Sequence, residues 1–169
     1  MTLKRTFWIL AAVLVPTLVA LARIDADLRT LHAPHGIISF EFCGFAGSCT
    51  TILEEWGEAG RAAAMLSLGL DYLFMLAYAG GLWVGLIWSA EALAPTARRF
   101  VQAIALGAVL AGLADAAENY SLIQVVLGVD EPTHGLRAGV FATIKFVLVA
   151  AALLVWAGLG IRRGLAGRR

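Results

Sequence analysis

Residues Phe100 to Leu127 read FVQAIALGAVLAGLADAAENYSLIQVVL. A run this long and apolar suits a bilayer-crossing helix, because about 20 such residues span the hydrocarbon core. Yet Asp115, Glu118 and Asn119 stand inside it. A charged side chain near the bilayer centre costs roughly 2.5–3.5 kcal/mol on insertion scales, so such residues are rare and face a protein interior or a wet cavity. At i, i+3 and i+4 the three form one patch on a helix. Ala108, Ala111 and Gly112 share its face, while Leu106, Leu110, Leu113 and Ala117 take the opposite side. Small residues below the acids let a neighbouring helix come close, and leucines opposite suit lipid.

Three more stretches extend the pattern: Phe7 to Ala22, about Ala64 to Ser89, and about Ala138 to Ile161. The chain is 169 residues long and 60% hydrophobic, and only 15% of it is charged. Soluble proteins carry about 25% charged residues. The reading is therefore a single all-α integral membrane domain over residues 1–169, a bundle of four transmembrane helices. No internal repeat is evident, and no basic run interleaved with aromatics appears, which argues against nucleic acid as a partner. The first stretch also fits a signal peptide, with Lys4 and Arg5 ahead of it and Ala20-Leu21-Ala22 as a cleavage site. A retained anchor is the reading adopted.

Lysine and arginine set the expected topology. Lys4, Arg5, Arg98, Arg99, Arg162, Arg163, Arg168 and Arg169 fall on one side, and Arg23, Arg29, Arg61 and Arg137 on the other. The positive-inside rule then places both termini in the cytoplasm, as in a multi-pass protein of a bacterial inner membrane. Trp8, Trp83, Trp88 and Trp156 fall towards the inner helix ends, as an interfacial belt would. The first outer loop, about residues 23–61, is the only large piece outside the bilayer. Within it Ile37 to Phe42 (IISFEF) alternates as a short strand would. Thr51-Ile52-Leu53-Glu54 reads as a capping box that opens a short amphipathic helix bearing Ile52, Trp56 and Ala59 on one face.

Asp71 and Lys145 add to the intramembrane polar set. From the ~1.5 Å rise per residue, Asp71 lies about 10 Å, Glu118 about 13 Å and Lys145 about 12 Å from the outer end of its span, with Asp115 one turn deeper. Shared depth on three helices points to one site. Asp71 shares a face with Ser67, Met75 and Tyr78; Lys145 shares one with Ala138, Ala142, Val149 and Ala152. Ala77, Gly81, Gly85 and Ser89 form a small-residue seam on the second span. Three carboxylates against one ammonium leave two negative charges uncompensated, so at least one carboxyl, Glu118 or Asp115, is expected to hold a proton.

Cys43 and Cys49 share the outer loop, and a disulfide bracing it is expected in an oxidising compartment. Four-helix thiol-oxidising membrane enzymes use a C-x-x-C pair, which is absent here. His32, His35 and His134 fall on the outer side and, with Glu41, form a weak candidate metal set. Pro34 disfavours a helix that presents the first two together. No metal and no cofactor is expected. P-loop, dinucleotide, H-E-x-x-H and G-x-S-x-G motifs are absent.

The stretches Leu68 to Tyr78 (LGLDYLFMLAY), Asp115 to Asn119 (DAAEN) and Ile52 to Gly57 (ILEEWG) resemble a group of uncharacterised small four-helix bacterial membrane proteins. The resemblance implies the fold and no activity. The leading functional expectation is a site of Asp71, Tyr78, Asp115, Glu118, Asn119 and Lys145. It would bind, with transport as an extension, a small lipophilic or cationic ligand or protons. A membrane-embedded enzyme acting on a lipid or isoprenoid, with Glu118 or Asp115 as general acid, is the second reading. The third is an accessory subunit whose charges act as interhelical glue. Membrane lipids are the expected partners, with a homodimer or a partner subunit as further options.

Overall fold

The computed structural model describes residues 2–166, with side chains through Ile161. Arg168 and Arg169, and the side chains of Arg162 and Arg163, lie outside the described residues. Six helices follow in order: α1 Leu3–Asp27, α2 Ile37–Glu41, α3 Cys43–Ala46, α4 Cys49–Ala90, α5 Pro95–Val126 and α6 Glu131–Ala166. No strand occurs among the described residues. By length and composition α1, α4, α5 and α6 can each cross a membrane, which makes the architecture that of a multi-pass membrane protein.

The long helices form a chain of neighbours, α1 on α4, α4 on α5 and α5 on α6. Short connections force antiparallel neighbours. Pro95 opens α5, where its missing N–H costs nothing. Leu106, Leu110, Leu113, Leu76 and Leu154 are largely exposed, whereas Ala105, Ala108, Ala111, Ala142 and Ala152 are fully buried. The seams are thus lined with small residues and the outer faces with leucine, as lipid-solvated bundles require. The seam on α4 receives α1: a side chain at Gly80 or Gly81 would touch Leu10, and one at Gly85 would touch Phe7 and Trp156.

The loop between α1 and α4 departs from expectation. IISFEF is helical rather than extended, with Ile37–Glu41 forming α2 and Phe42 the turn that leads into α3. Its apolar residues are recruited by tertiary contacts that period-2 alternation does not reveal. Phe40 packs on Trp56 with ring centroids 4.9 Å apart, and Asp25 Oδ1 accepts from the Ile37 amide at 2.8 Å at the start of α2. The capping box does not form either. Helix α4 begins earlier, with Ser48 at its N-cap and no side-chain cap bond, because Gly47 in the left-handed region ends α3 just before it. The expected short amphipathic helix is therefore the first two turns of α4. At Gly57, with φ 57° and ψ −161°, the helix breaks and then runs on. That φ is costly for any residue with a Cβ. The break also separates Ile52 and Trp56, which are buried, from Ala59, which is exposed.

Cys43 and Cys49 are joined by a disulfide with Cα atoms 4.8 Å apart. It ties α3 to the head of α4 directly over α6, where Gly44 and Gly135 let the two backbones meet. Two apolar cores result. One, at the loop end, gathers Leu28, Phe40, Ile52, Trp56, Leu68, Leu122 and Ala138. The other, nearer the termini, gathers Leu82, Leu86, Val101, Ala105, Ala108 and Ala152. A polar layer lies between them.

A Cβ at Gly44 would run into the backbone of Gly135 and Leu136, whereas one at Gly69 meets nothing within 4 Å. Gly44→Ala is expected to destabilise the fold by about 1–3 kcal/mol through overpacking. Gly69→Ala should leave stability within about 0.5 kcal/mol. Thermal midpoints of the two purified variants check this, and equal midpoints would contradict the close α3–α6 approach.

Candidate functional site

The polar layer is organised around one ammonium. Lys145 on α6 reaches across to α5, where its Nζ donates to Asp115 Oδ1 at 3.1 Å and to Glu118 Oε1 at 2.9 Å. Glu118 Oε2 lies 2.8 Å away, so both oxygens of that carboxylate face the same cation. The i, i+3 spacing of the acids aims them at a single point, and Ala138 and Ala142, both fully buried, bring α6 close enough to reach it. Asp115 Oδ2 accepts from the Tyr78 hydroxyl at 2.8 Å, which links α4 to the same centre. One turn away Asn119 Nδ2 donates to Asp71 Oδ2 at 2.7 Å. Asp71, Tyr78, Asp115, Glu118, Asn119 and Lys145 are thus brought together as one layer spanning three helices.

Sequence reasoning missed a seventh member. Glu41, at the end of α2, turns inward and is 8% exposed, with Oε1 3.5 Å from Lys145 Nζ. Burial pushes its carboxyl above the ordinary range, against the opposing pull of Lys145. An extended IISFEF in an outer loop gives this glutamate no reason to turn downward. The signal was present in the preceding Gly36 and in Asp25, which together start α2 and set its angle. Glu41, Asp115 and Glu118 now face one ammonium, with Asp71 beside them in the same layer, and ionising all four would leave three charges uncompensated, a strongly unfavourable arrangement.

A cavity of about 520 Å³ opens from this layer. Phe7, Ala11, Leu14, Leu18 and Leu21 form one wall along α1; Phe146, Val149, Leu153 and Trp156 form the facing wall along α6; Tyr78 and Gly81 of α4 lie beneath. From Phe7 to Leu21 the α1 wall is about 21 Å long at the helical rise. At one end Phe7 and Trp156 meet, ring centroids 5.6 Å apart. At the other end stand Glu41, Asp71, Asp115 and Lys145. Glu118 and Asn119 do not line the cavity. Glu118 is fully buried behind Lys145, so of the two candidate acids only Asp115 borders the space where a ligand would sit.

The histidines go elsewhere. His32 Nδ1 lies 2.6 Å from Glu55 Oε1, and its amide donates to Oε2 of the same carboxylate at 3.1 Å. The amide of His35 donates to the Ser39 hydroxyl, and His134 stacks edgewise on Tyr120. With Glu41 committed to Lys145, the weak metal set is not assembled. The described residues contain no group of three histidine, cysteine, aspartate or glutamate side chains able to hold a metal ion.

Because the layer is buried, removing its one ammonium leaves the acids uncompensated. Lys145→Met is expected to destabilise the protein by about 3–5 kcal/mol, and Glu118→Gln, which leaves Lys145 paired with Asp115 and Glu41, by less. Asp71→Asn, at the layer's edge and partly exposed, should cost far less. Thermal unfolding of the three variants checks the order, and an Asp71→Asn loss equal to that of Lys145→Met would contradict it.

Comparison with protein-family models, with curated proteins and with solved structures returns no match.

Proposed function

We propose that this chain is a binding protein of a bacterial inner membrane, with both termini cytoplasmic, that holds an elongated lipophilic molecule in the cavity between α1 and α6. The observation that carries the reading is the shape and lining of that cavity: about 520 Å³, apolar along its length and ionisable at one end only. Its size and its few convergent polar groups suit a single small ligand. Lysine and arginine are concentrated at the end bearing the termini, which supports the orientation. The Cys43–Cys49 disulfide independently suits a loop outside the cytoplasm. The bacterial setting rests on the resemblance carried by the Asp71 and Asp115–Asn119 stretches.

The route into the cavity is sideways. Helix α1 packs on α4 and makes no comparable contact with α6, and Thr17 is its one buried residue. A ligand entering between α1 and α6 comes from the lipid phase. Transport to the loop side would require it to pass α2, which closes that end with Ile37, Ile38 and Glu41. A second reading, an enzyme acting on a lipid or isoprenoid, is favoured by the cavity-facing carboxyls. There Asp71 or Asp115 takes the role of proton donor, and Glu118 holds Lys145 in place.

Two measurements test these readings. Native mass spectrometry of the purified protein is expected to find a co-purifying lipophilic molecule, and Leu153→Trp, which fills the cavity from α6, should displace it while the protein stays folded. An unchanged adduct in that variant would refute the cavity. For orientation, a green fluorescent protein fused after Arg169 is expected to fluoresce and alkaline phosphatase fused there to be inactive. The opposite pair of results would invert the topology.

A further inference from the structure

We propose that the head group bound at the ionisable end of the cavity is a protonated amine, an ammonium bearing N–H groups on a single apolar tail. This rests on the lipophilic-binding reading and concerns only which head group the site accepts. The argument comes from matching donors to acceptors.

The donors of the layer itself, Lys145, Tyr78 and Asn119, each already face a carboxylate. Lys145, with three donors and no acceptor, faces Asp115, Glu118 and Glu41. The Tyr78 hydroxyl donates to Asp115 and the Asn119 amide to Asp71. Acceptors, by contrast, are left over at the cavity wall. Glu41 lines the cavity, its side chain is only 11% exposed, and its Oε2 is buried with no hydrogen-bond partner. Asp71 also lines it and receives its one side-chain hydrogen bond on Oδ2, so no described residue donates to Oδ1.

The class of head group follows from that imbalance. A carboxylate or phosphate would bring further acceptors and negative charge to a place that already holds four carboxyls for one ammonium, and a buried charge without a partner is strongly disfavoured. A hydroxyl would supply a single donor and no charge, so the surplus carboxyls could not ionise against it. An ammonium supplies several donors and a positive charge, and charge-assisted hydrogen bonds to carboxylates are the strong ones. The tail would then lie between α1 and α6 and end near Phe7 and Trp156. The volume of about 520 Å³ suits one tail.

The test offers the purified full-length protein hexadecylamine, hexadecanol and hexadecanoate separately at equal concentration, with retention read by native mass spectrometry. The amine is expected to bind about tenfold or more tightly than the alcohol, with the acid weakest. Glu41→Gln and Asp71→Asn should each weaken the amine by about tenfold and leave hexadecanol unchanged, the latter also reporting an intact cavity. Equal retention of all three by the wild-type protein would overturn the head-group assignment and leave the lipophilic cavity standing. Retention of none would overturn the cavity itself. The wild-type ranking decides the question even if a variant fails to fold.

Discussion

The bundle depends on satisfying one buried ammonium. Lys145 cannot remain charged in an apolar layer without partners, and two acids from α5 and one from α2 supply them. Meeting that need fixes the register of α6 against α5, since a one-residue rotation of either helix would turn Lys145 or Glu118 toward lipid. It also draws α2 down, so the loop between α1 and α4 becomes part of the interior. The apolar cores above and below the layer supply the close packing. The ion pairs supply the alignment, a role better attested for buried polar groups than raw stability.

The same arrangement explains why the layer is lopsided. Asp115 and Glu118 alone would suffice to hold Lys145. Glu41 and Asp71 add carboxyls beyond what one ammonium can balance, and both stand where the cavity begins. Interhelical glue has no use for surplus acid at the edge of a void. A site that receives something from the void does. This asymmetry, more than the count of buried charges, is what supports the proposed binding role over a structural one.

Much of this was legible in the residues. Periodicity of leucine against alanine on α5 and the i, i+3, i+4 placement of Asp115, Glu118 and Asn119 give the buried face without ambiguity, because helical spacing is local geometry. Shared depth of Asp71, Glu118 and Lys145 gives their convergence, because helix rise is constant. What could not be read was anything set by one segment folding over another. Glu41 looked like a solvated loop acid, and its burial depends on Phe40 finding Trp56 and on Asp25 capping α2. The cavity was equally hidden. It exists because α1 packs on α4 and leaves space beside α6, a property of three helices at once. The demotion of Glu118 from the ligand space has the same origin: sequence gives the face of a helix but not which residue on that face stands in front.

Helix α1 differs from its neighbours in how it is held. Near its C-terminal end Asp25 bonds the Ile37 amide and the Leu28 carbonyl accepts from Trp56, while further down the helix no side-chain hydrogen bond or ion pair joins it to α4 among the described residues. It is pinned at the top and merely leans along the rest of its length. Tilting it outward breaks only dispersion contacts along a glycine-lined seam and leaves the charged layer undisturbed. One wall of the cavity is therefore held by packing alone, while the opposite, ionisable end is fastened by ion pairs across α2, α5 and α6.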